Sequence, residues 1–223
     1  ERGIADNTLV MFASEQGNAF PFAKWTCYDV GVHSALVARW PGRIQAGSVS
    51  DALVEYSDVV PTFIAAAGGE VPSVLDGKSL TGLFSGETAR HKEYAYSIHT
   101  TRGINNGSPH YGVRSVVTDR FRYIYNLTPE VAFQNNITEK FDWWKTWERM
   151  AETDPFAAWI VRRYQYRPGR ELYDVEKDPY NMNNLADVPE YEKVVEELHG
   201  KLTDWMEACG DKGQATELDA LNH

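Results

Sequence analysis

Asn7-Thr8-Leu9-Val10-Met11-Phe12-Ala13-Ser14-Glu15-Gln16-Gly17 is the stretch on which the fold of this 223-residue chain turns. Leu9 to Ala13 form an apolar run with no polar alternation, the pattern of a strand buried on both faces. Strands of that kind belong to parallel sheets covered by helices. The run stops at Ser14-Glu15-Gln16-Gly17, where a carboxylate and a carboxamide stand side by side. Ligands of open α/β sheets bind just beyond the carboxyl ends of the strands. Glu15 and Gln16 are therefore placed to offer oxygen ligands to a hard cation. A polar turn closed by Gly17 accounts for the same residues, and both readings stand at this point.

The totals narrow the field. Hydrophobic residues at 43% and charged residues at 24% give a globular chain with a real core. Seven Trp and twelve Tyr suit carbohydrate or protein surfaces as well as cores, and core packing accounts for most of them. A net charge of −10 argues against a nucleic-acid partner, which needs clustered Lys and Arg. Any anionic substrate must then be met by a local basic pocket. Cys27 and Cys209 fit no metal or redox spacing and read as two thiols, although one long-range disulfide is compatible with them. No apolar stretch reaches membrane-spanning length. Glu1 to Asn7 look like a helix end turning into a strand, so the chain reads as the C-terminal portion of a longer protein, with any targeting segment outside it.

Further along, Ala35-Leu36-Val37-Ala38 is a second apolar run, ended by the turn Trp40-Pro41-Gly42. Ser57 to Gly69 predict a capped helix, with Ser57 or Asp58 at its start, Pro61 in the first turn and Gly68 at its end. Residues 70–92 are mostly loop, with a short helix over Ser79 to Phe84. From Tyr94 the pattern becomes short β-branched and aromatic runs. Val113 to Val117 and Phe121 to Tyr125, joined through Thr118-Asp119-Arg120, predict a hairpin. Phe141 to Met150 and Asp154 to Tyr164 read as helices, and Glu171 to Asp174 as a strand. Val194, Val195, Leu198, Leu202, Trp205 and Met206 give Tyr191 to Cys209 the spacing of an amphipathic helix ended by Gly210, followed by a polar, loose tail. The division expected is residues 1–70, a connecting region 71–92, and a smaller α+β unit 93–223.

Lys24 follows Glu15 by nine residues, across Phe20, Pro21 and Phe22. Beside a metal it would present a cation to an oxyanion; as a loop lysine it would be simply solvated. His99 and Arg102, in Ser97-Ile98-His99-Thr100-Thr101-Arg102-Gly103, would read a sugar or a carboxylate beyond that anion, or pair within a loop.

Ser14-Glu15-Gln16-Gly17 with Phe20-Pro21-Phe22-Ala23-Lys24, Arg39-Trp40-Pro41-Gly42 and Asp58-Val59-Val60-Pro61-Thr62 resemble the second half of a type I sulfatase. Glu171-Leu172-Tyr173-Asp174, Asp178-Pro179 and Asn183-Asn184-Leu185-Ala186 are similar to that family's C-terminal signature. Tyr111 to Val116, Arg122 to Leu127 and Tyr164 to Arg167 resemble the heparan N-sulfatase (sulfamidase) branch.

The resemblance implies an α/β fold: the C-terminal part of an alkaline-phosphatase-like α/β sandwich, then a smaller α+β domain with a four-stranded antiparallel sheet and a C-terminal helix. The strands would start at Tyr94, Tyr111, Phe121 and Glu171. It implies a divalent cation, Ca2+, with Glu15 and Gln16 as ligands and Lys24 touching the sulfate. The family's usual pair is Asp followed by Asn or His, so each side chain here is one methylene longer. The implied substrate is a sulfated small molecule or glycan, and the implied compartment periplasmic, extracellular or lysosome-like. The family's nucleophile is a formylglycine made within Cys/Ser-x-Pro-x-Arg. Cys27, in Trp25-Thr26-Cys27-Tyr28-Asp29, lacks both the Pro and the Arg. The nucleophile is therefore expected outside this chain, and the chain alone is expected to be inactive. A phosphonate or phosphate-ester hydrolase with the same metal site, and a non-catalytic binding fragment, are the alternatives; the nucleophile motif upstream discriminates between them.

Overall fold

The computed structural model describes residues 3–15, 17–100, 104, 107, 108 and 110–220. In chain order its first elements are β1 (Val10–Ala13), α1 (Asp29–Val32), β2 (Leu36–Arg39), α2 (Val59–Ala66), α3 (Thr81–Phe84) and β3 (Ala95–His99). Then come β4 (Val113–Val117), β5 (Phe121–Asn126), α4 (Asn136–Lys140), α5 (Asp142–Ala151), α6 (Pro155–Gln165), β6 (Arg170–Asp174), α7 (Glu192–Ala208) and α8 (Gln214–Asp219). These divide into two compact units, one built from residues up to 15 with 34–95, the other from 17–33 with 96–220.

In the first unit the opening apolar run is a strand, but not the parallel strand expected. β1 pairs antiparallel with β2, Val10 opposite Arg39 and Ala13 opposite Leu36. Within this chain Val10 is 51% exposed and Phe12 63%, while Met11 on the other face is half-buried. An unbroken apolar run dictates an extended backbone with two apolar faces. The direction of its neighbour is a long-range matter that the local pattern does not carry.

Helix α2 begins and ends where the sequence places it, with Gly68 at φ +79° closing it in the left-handed conformation. Asp58 stands at the N-cap position without capping the helix. Its buried carboxylate instead accepts the backbone N–H groups of Glu55 and Lys78, both at 2.8 Å, and meets Lys92 at 2.8 Å and His91 Nε2 at 3.1 Å. Burial alone would raise its pKa. The bond from Lys92 and the two backbone N–H groups outweigh that and hold it below the usual carboxylate range.

The second unit is a four-stranded sheet in the order β3-β4-β5-β6. The predicted hairpin forms, with Val113 opposite Asn126 and Val117 opposite Arg122, and β6 adds antiparallel to β5. Helix α7 lies on β4 and β5 and buries Val195, Leu198, Leu202 and Met206, the stripe its spacing calls for. Asp154 caps α6 by accepting from the N–H groups of Phe156 and Ala157, with Pro155 in the first turn. A hydrophobic core cluster gathers Cys27, Tyr28, Tyr111, Phe133, Trp144, Tyr164 and Tyr173.

As far as residue 220 the tail is not loose. Asp211 and Glu217 bind the buried guanidinium of Arg114: Nε to Asp211 at 2.5 Å, Nη2 to Glu217 at 2.8 Å. Thr100 donates to the other oxygen of Glu217 at 2.6 Å. This closure ties α8 to β4 across a sequence separation of about a hundred residues, which is why composition alone reads the tail as free.

Candidate functional site

Glu15 leaves the carboxyl end of β1 two residues beyond Ala13, exposed. It belongs to the first unit, whereas Lys24 and His99 belong to the second. Gln16 and Arg102 lie outside the described residues. Among the described residues no group of three His, Cys, Asp or Glu gathers to hold a metal ion. The donor chemistry still fits a hard cation, since a carboxylate at a strand exit offers oxygen alone.

Around Lys24 the backbone is unusual. Phe22 has φ +63° and Trp25 φ +62°, two bulky residues in the left-handed region, where each costs of order 1–3 kcal/mol. Contacts of Phe22, Ala23 and Thr26 hold the loop in place. The Phe22 ring packs 5.5 Å from Tyr28 and 5.1 Å from Tyr164, with the Arg163 guanidinium 4.8 Å above it. Ala23 and Thr26 are buried, and the Thr26 hydroxyl lies 2.9 Å from the carbonyl of Phe22 and 2.8 Å from that of Ala23. Lys24 donates its backbone N–H to Asn18 at 3.0 Å, and its ammonium lies 6.0 Å over the Trp25 ring. A half-exposed lysine thus projects from a loop whose two flanks are buried.

Gly17 makes that loop possible. Its φ is +60°, and a Cβ there would sit 2.7 Å from the nitrogen and 2.9 Å from the Cα of Lys24. Gly17→Ala therefore both strains the turn, by about 1–2 kcal/mol, and pushes directly on the backbone that carries Lys24. The expected result is a lower melting temperature than that of the wild type. An unchanged melting temperature would mean that the turn relaxes without cost.

His99 ends β3 turned into the core rather than to solvent. It is 5% exposed, its ring 5.5 Å from Phe133, and its Nε2 has no hydrogen-bond partner among the described residues. Burial, reinforced by Arg167 and Arg114, lowers its pKa to about 3. The folded protein therefore holds it neutral, while the unfolded chain takes up a proton below the ordinary value of 6.5. Stability contributed by this group is present above pH 6.5 and is lost progressively as the pH falls towards about 3. A His99→Phe variant should show a flatter stability profile over that window; an equally steep profile would place the titration elsewhere.

Cys27 and Cys209 form no disulfide among the described residues, and burial pushes the Cys27 thiol up to about 11. It is a packing residue with no thiolate character at neutral pH. Sequence reasoning missed the polar elements behind the loop. Glu171, on β6, accepts from Tyr28 at 2.9 Å, from Tyr173 and from Asn126 at 2.7 Å. Arg122 binds Asp29 at 3.0 Å. The only local signal for these was charge inside otherwise strand-like runs.

Residues 17–140 match the model of a family described as N-sulphoglucosamine sulphohydrolase, C-terminal. An ulvan-active sulfatase of Formosa agariphila is 34% identical over 93% of this chain and 39% of its own length. The human N-sulphoglucosamine sulphohydrolase is 28% identical over 92% of this chain and 43% of its own. A solved structure in complex with its substrate D-glucosamine-2-N,6-O-disulfate superposes with a TM-score of 0.62 at 21% identity, covering 95% of this chain and 37% of that one. At that identity the likeness is one of fold. The chain spans about two fifths of the length of the curated relatives it matches.

Proposed function

The chain belongs to the N-sulphoglucosamine sulphohydrolase C-terminal family, and from that premise we propose that it forms the C-terminal part of a sulfatase acting on a sulfate ester or sulfamate of a sulfated glycan. The observation that carries the reading is Lys24, held between two left-handed aromatic residues by a buried scaffold. Backbone strain kept in place by so many contacts marks a position where geometry matters more than local stability. An ammonium fixed in advance is what a developing sulfate charge needs, because no reorganisation is then required as the charge appears.

Glu15 and Gln16 are the proposed ligands of a divalent cation, Ca2+. When bound, such a cation supplies electrostatic stabilisation to sulfate oxygens. The nucleophile, a formylglycine, is assigned to sequence outside this chain, as Cys27 is buried and unionised. Arg102 is proposed to read the sugar beyond the sulfate. His99, expected to share that role, is turned into the core against Phe133 at 5% exposure and takes a packing role instead. In this reading residues 1–70 complete the α/β layer, residues 71–92 connect, and residues 93–223 form the subdomain. The exposed apolar faces of β1 and β2 would be covered by the earlier part of that layer. Among the described residues no helix is long and apolar enough to cross a membrane, and a periplasmic, extracellular or lysosome-like location belongs to the same proposal.

The test is a substrate comparison in the full-length enzyme. N-sulfated and O-sulfated glucosamine should be turned over well, and a phosphate monoester poorly. Preference for the phosphate would overturn the reaction class while leaving the fold assignment intact.

A further inference from the structure

Helix α5 carries more aromatic surface than its packing uses. Trp144 is buried and anchors the helix, 5.1 Å from Tyr164. The neighbouring rings are not buried. Phe141 is 39% exposed and stacks on the half-buried Trp143 at 5.3 Å and 13°. Trp143 in turn lies 6.2 Å from Trp147 and 5.5 Å from Phe20, itself 55% exposed. Phe20 sits in the same loop as Lys24, so the array of rings runs from α5 to the loop assigned to sulfate.

Two features decide what could cover this array. First, charges are interleaved with the rings: Asp142 and Lys145 lie 3.6 Å apart with side chains 97% and 58% exposed. The cores of protein interfaces are depleted of charged residues, since covering them costs desolvation without full return. Secondly, the rings are rigidly packed against one another, offering faces and edges in place before any ligand arrives. A pyranose ring matches both features. Its axial C–H face lies on an aromatic ring, and its equatorial hydroxyls reach polar groups at the rim.

We propose that Phe20, Phe141, Trp143 and Trp147 form a carbohydrate-stacking subsite, which holds the unsulfated pyranose rings of a glycan chain whose sulfate is presented to Lys24. The placement beside Lys24 rests on the sulfatase reading above; the stacking itself does not. The subsite makes the enzyme favour sulfate on an oligosaccharide over sulfate on a small aryl alcohol.

The test uses the full-length enzyme and two unsulfated probes, a heparosan hexasaccharide and a chemically desulfated ulvan hexasaccharide. At least one should quench tryptophan fluorescence in a saturable titration. Phe141→Ala should weaken that binding about tenfold, the equivalent of one aromatic contact, and lower kcat/KM for a sulfated oligosaccharide more than for an aryl sulfate. Trp143→Ala should abolish the quenching. As Trp143 is half-buried, the exposed Phe141 keeps the test valid should that variant fail to fold. Absence of binding by either probe, or equal binding by wild type and Phe141→Ala, would overturn the subsite. Self-association of the enzyme that disappears in Phe141→Ala would also overturn it, by giving the face to a second copy. Loss of all sulfate release with probe binding retained would count against the reaction class alone.

Discussion

Replacing Lys24 by Ala in the full-length enzyme is expected to lower kcat/KM for a sulfated sugar by about 10²–10³-fold, the usual cost of removing one group aimed at a developing oxyanion. Folding should be little affected, since the left-handed turns at Phe22 and Trp25 are held by contacts of the flanking residues. Lys24→Arg should recover part of the activity: the charge returns, but the planar guanidinium cannot occupy the same point. Kinetics on wild type and both variants, with thermal melts alongside, check this. Near-wild-type turnover in Lys24→Ala would remove the lysine from the mechanism.

Arg114→Ala carries the largest expected effect on stability. The guanidinium is 2% exposed, and its loss leaves Asp211 and Glu217 facing each other as buried carboxylates at 8% and 3% exposure. Breaking a buried pair from one side costs about 3–5 kcal/mol, which for a domain of this size lowers the melting temperature by roughly 10 °C. The effect should also depend on pH. Burial alone would raise the pKa of Asp211, but the bond from Arg114 and the N–H of Gly213 hold it below the usual carboxylate range. A carboxylate depressed in this way stabilises the fold above its unfolded pKa, and the contribution fades as the pH falls through its folded value. Wild type should therefore lose this part of its stability below about pH 4, whereas Arg114→Ala has already lost it. Thermal melts at pH 7 and pH 3 measure both terms. A drop of less than 1 °C at pH 7 would mean that the tail is not locked through Arg114.

Much of this architecture is legible in the residues themselves. The hairpin from Val113 to Asn126 has β-branched and aromatic runs about a polar turn, and those are local properties. Helix α6 announces itself through Asp154-Pro155, and α7 through the spacing of Val195, Leu198 and Leu202. What fails to show in the residues is whatever depends on a distant partner. The pairing direction of β1 is set by β2, and the order of the tail by Arg114 on β4. Asp58 looks like a helix cap, yet its carboxylate is drawn to Lys78, His91 and Lys92, residues twenty or more positions away. The loop of Lys24 hides for another reason. Propensity argues against Phe22 and Trp25 in left-handed turns, so only the packed core behind them discloses the conformation. Cys27 is the reverse case, because its surroundings alone ruled out the nucleophile motif.

Lys24 and part of a ligand set are proposed as this chain's contribution to a sulfatase whose nucleophile lies on other sequence. Sulfate release from N-sulfated glucosamine, measured in parallel for the full-length enzyme and for the isolated 223-residue chain, tests it most directly. Steady release by the full-length enzyme and none by the isolated chain is the predicted result. Measurable release by the isolated chain would contradict it.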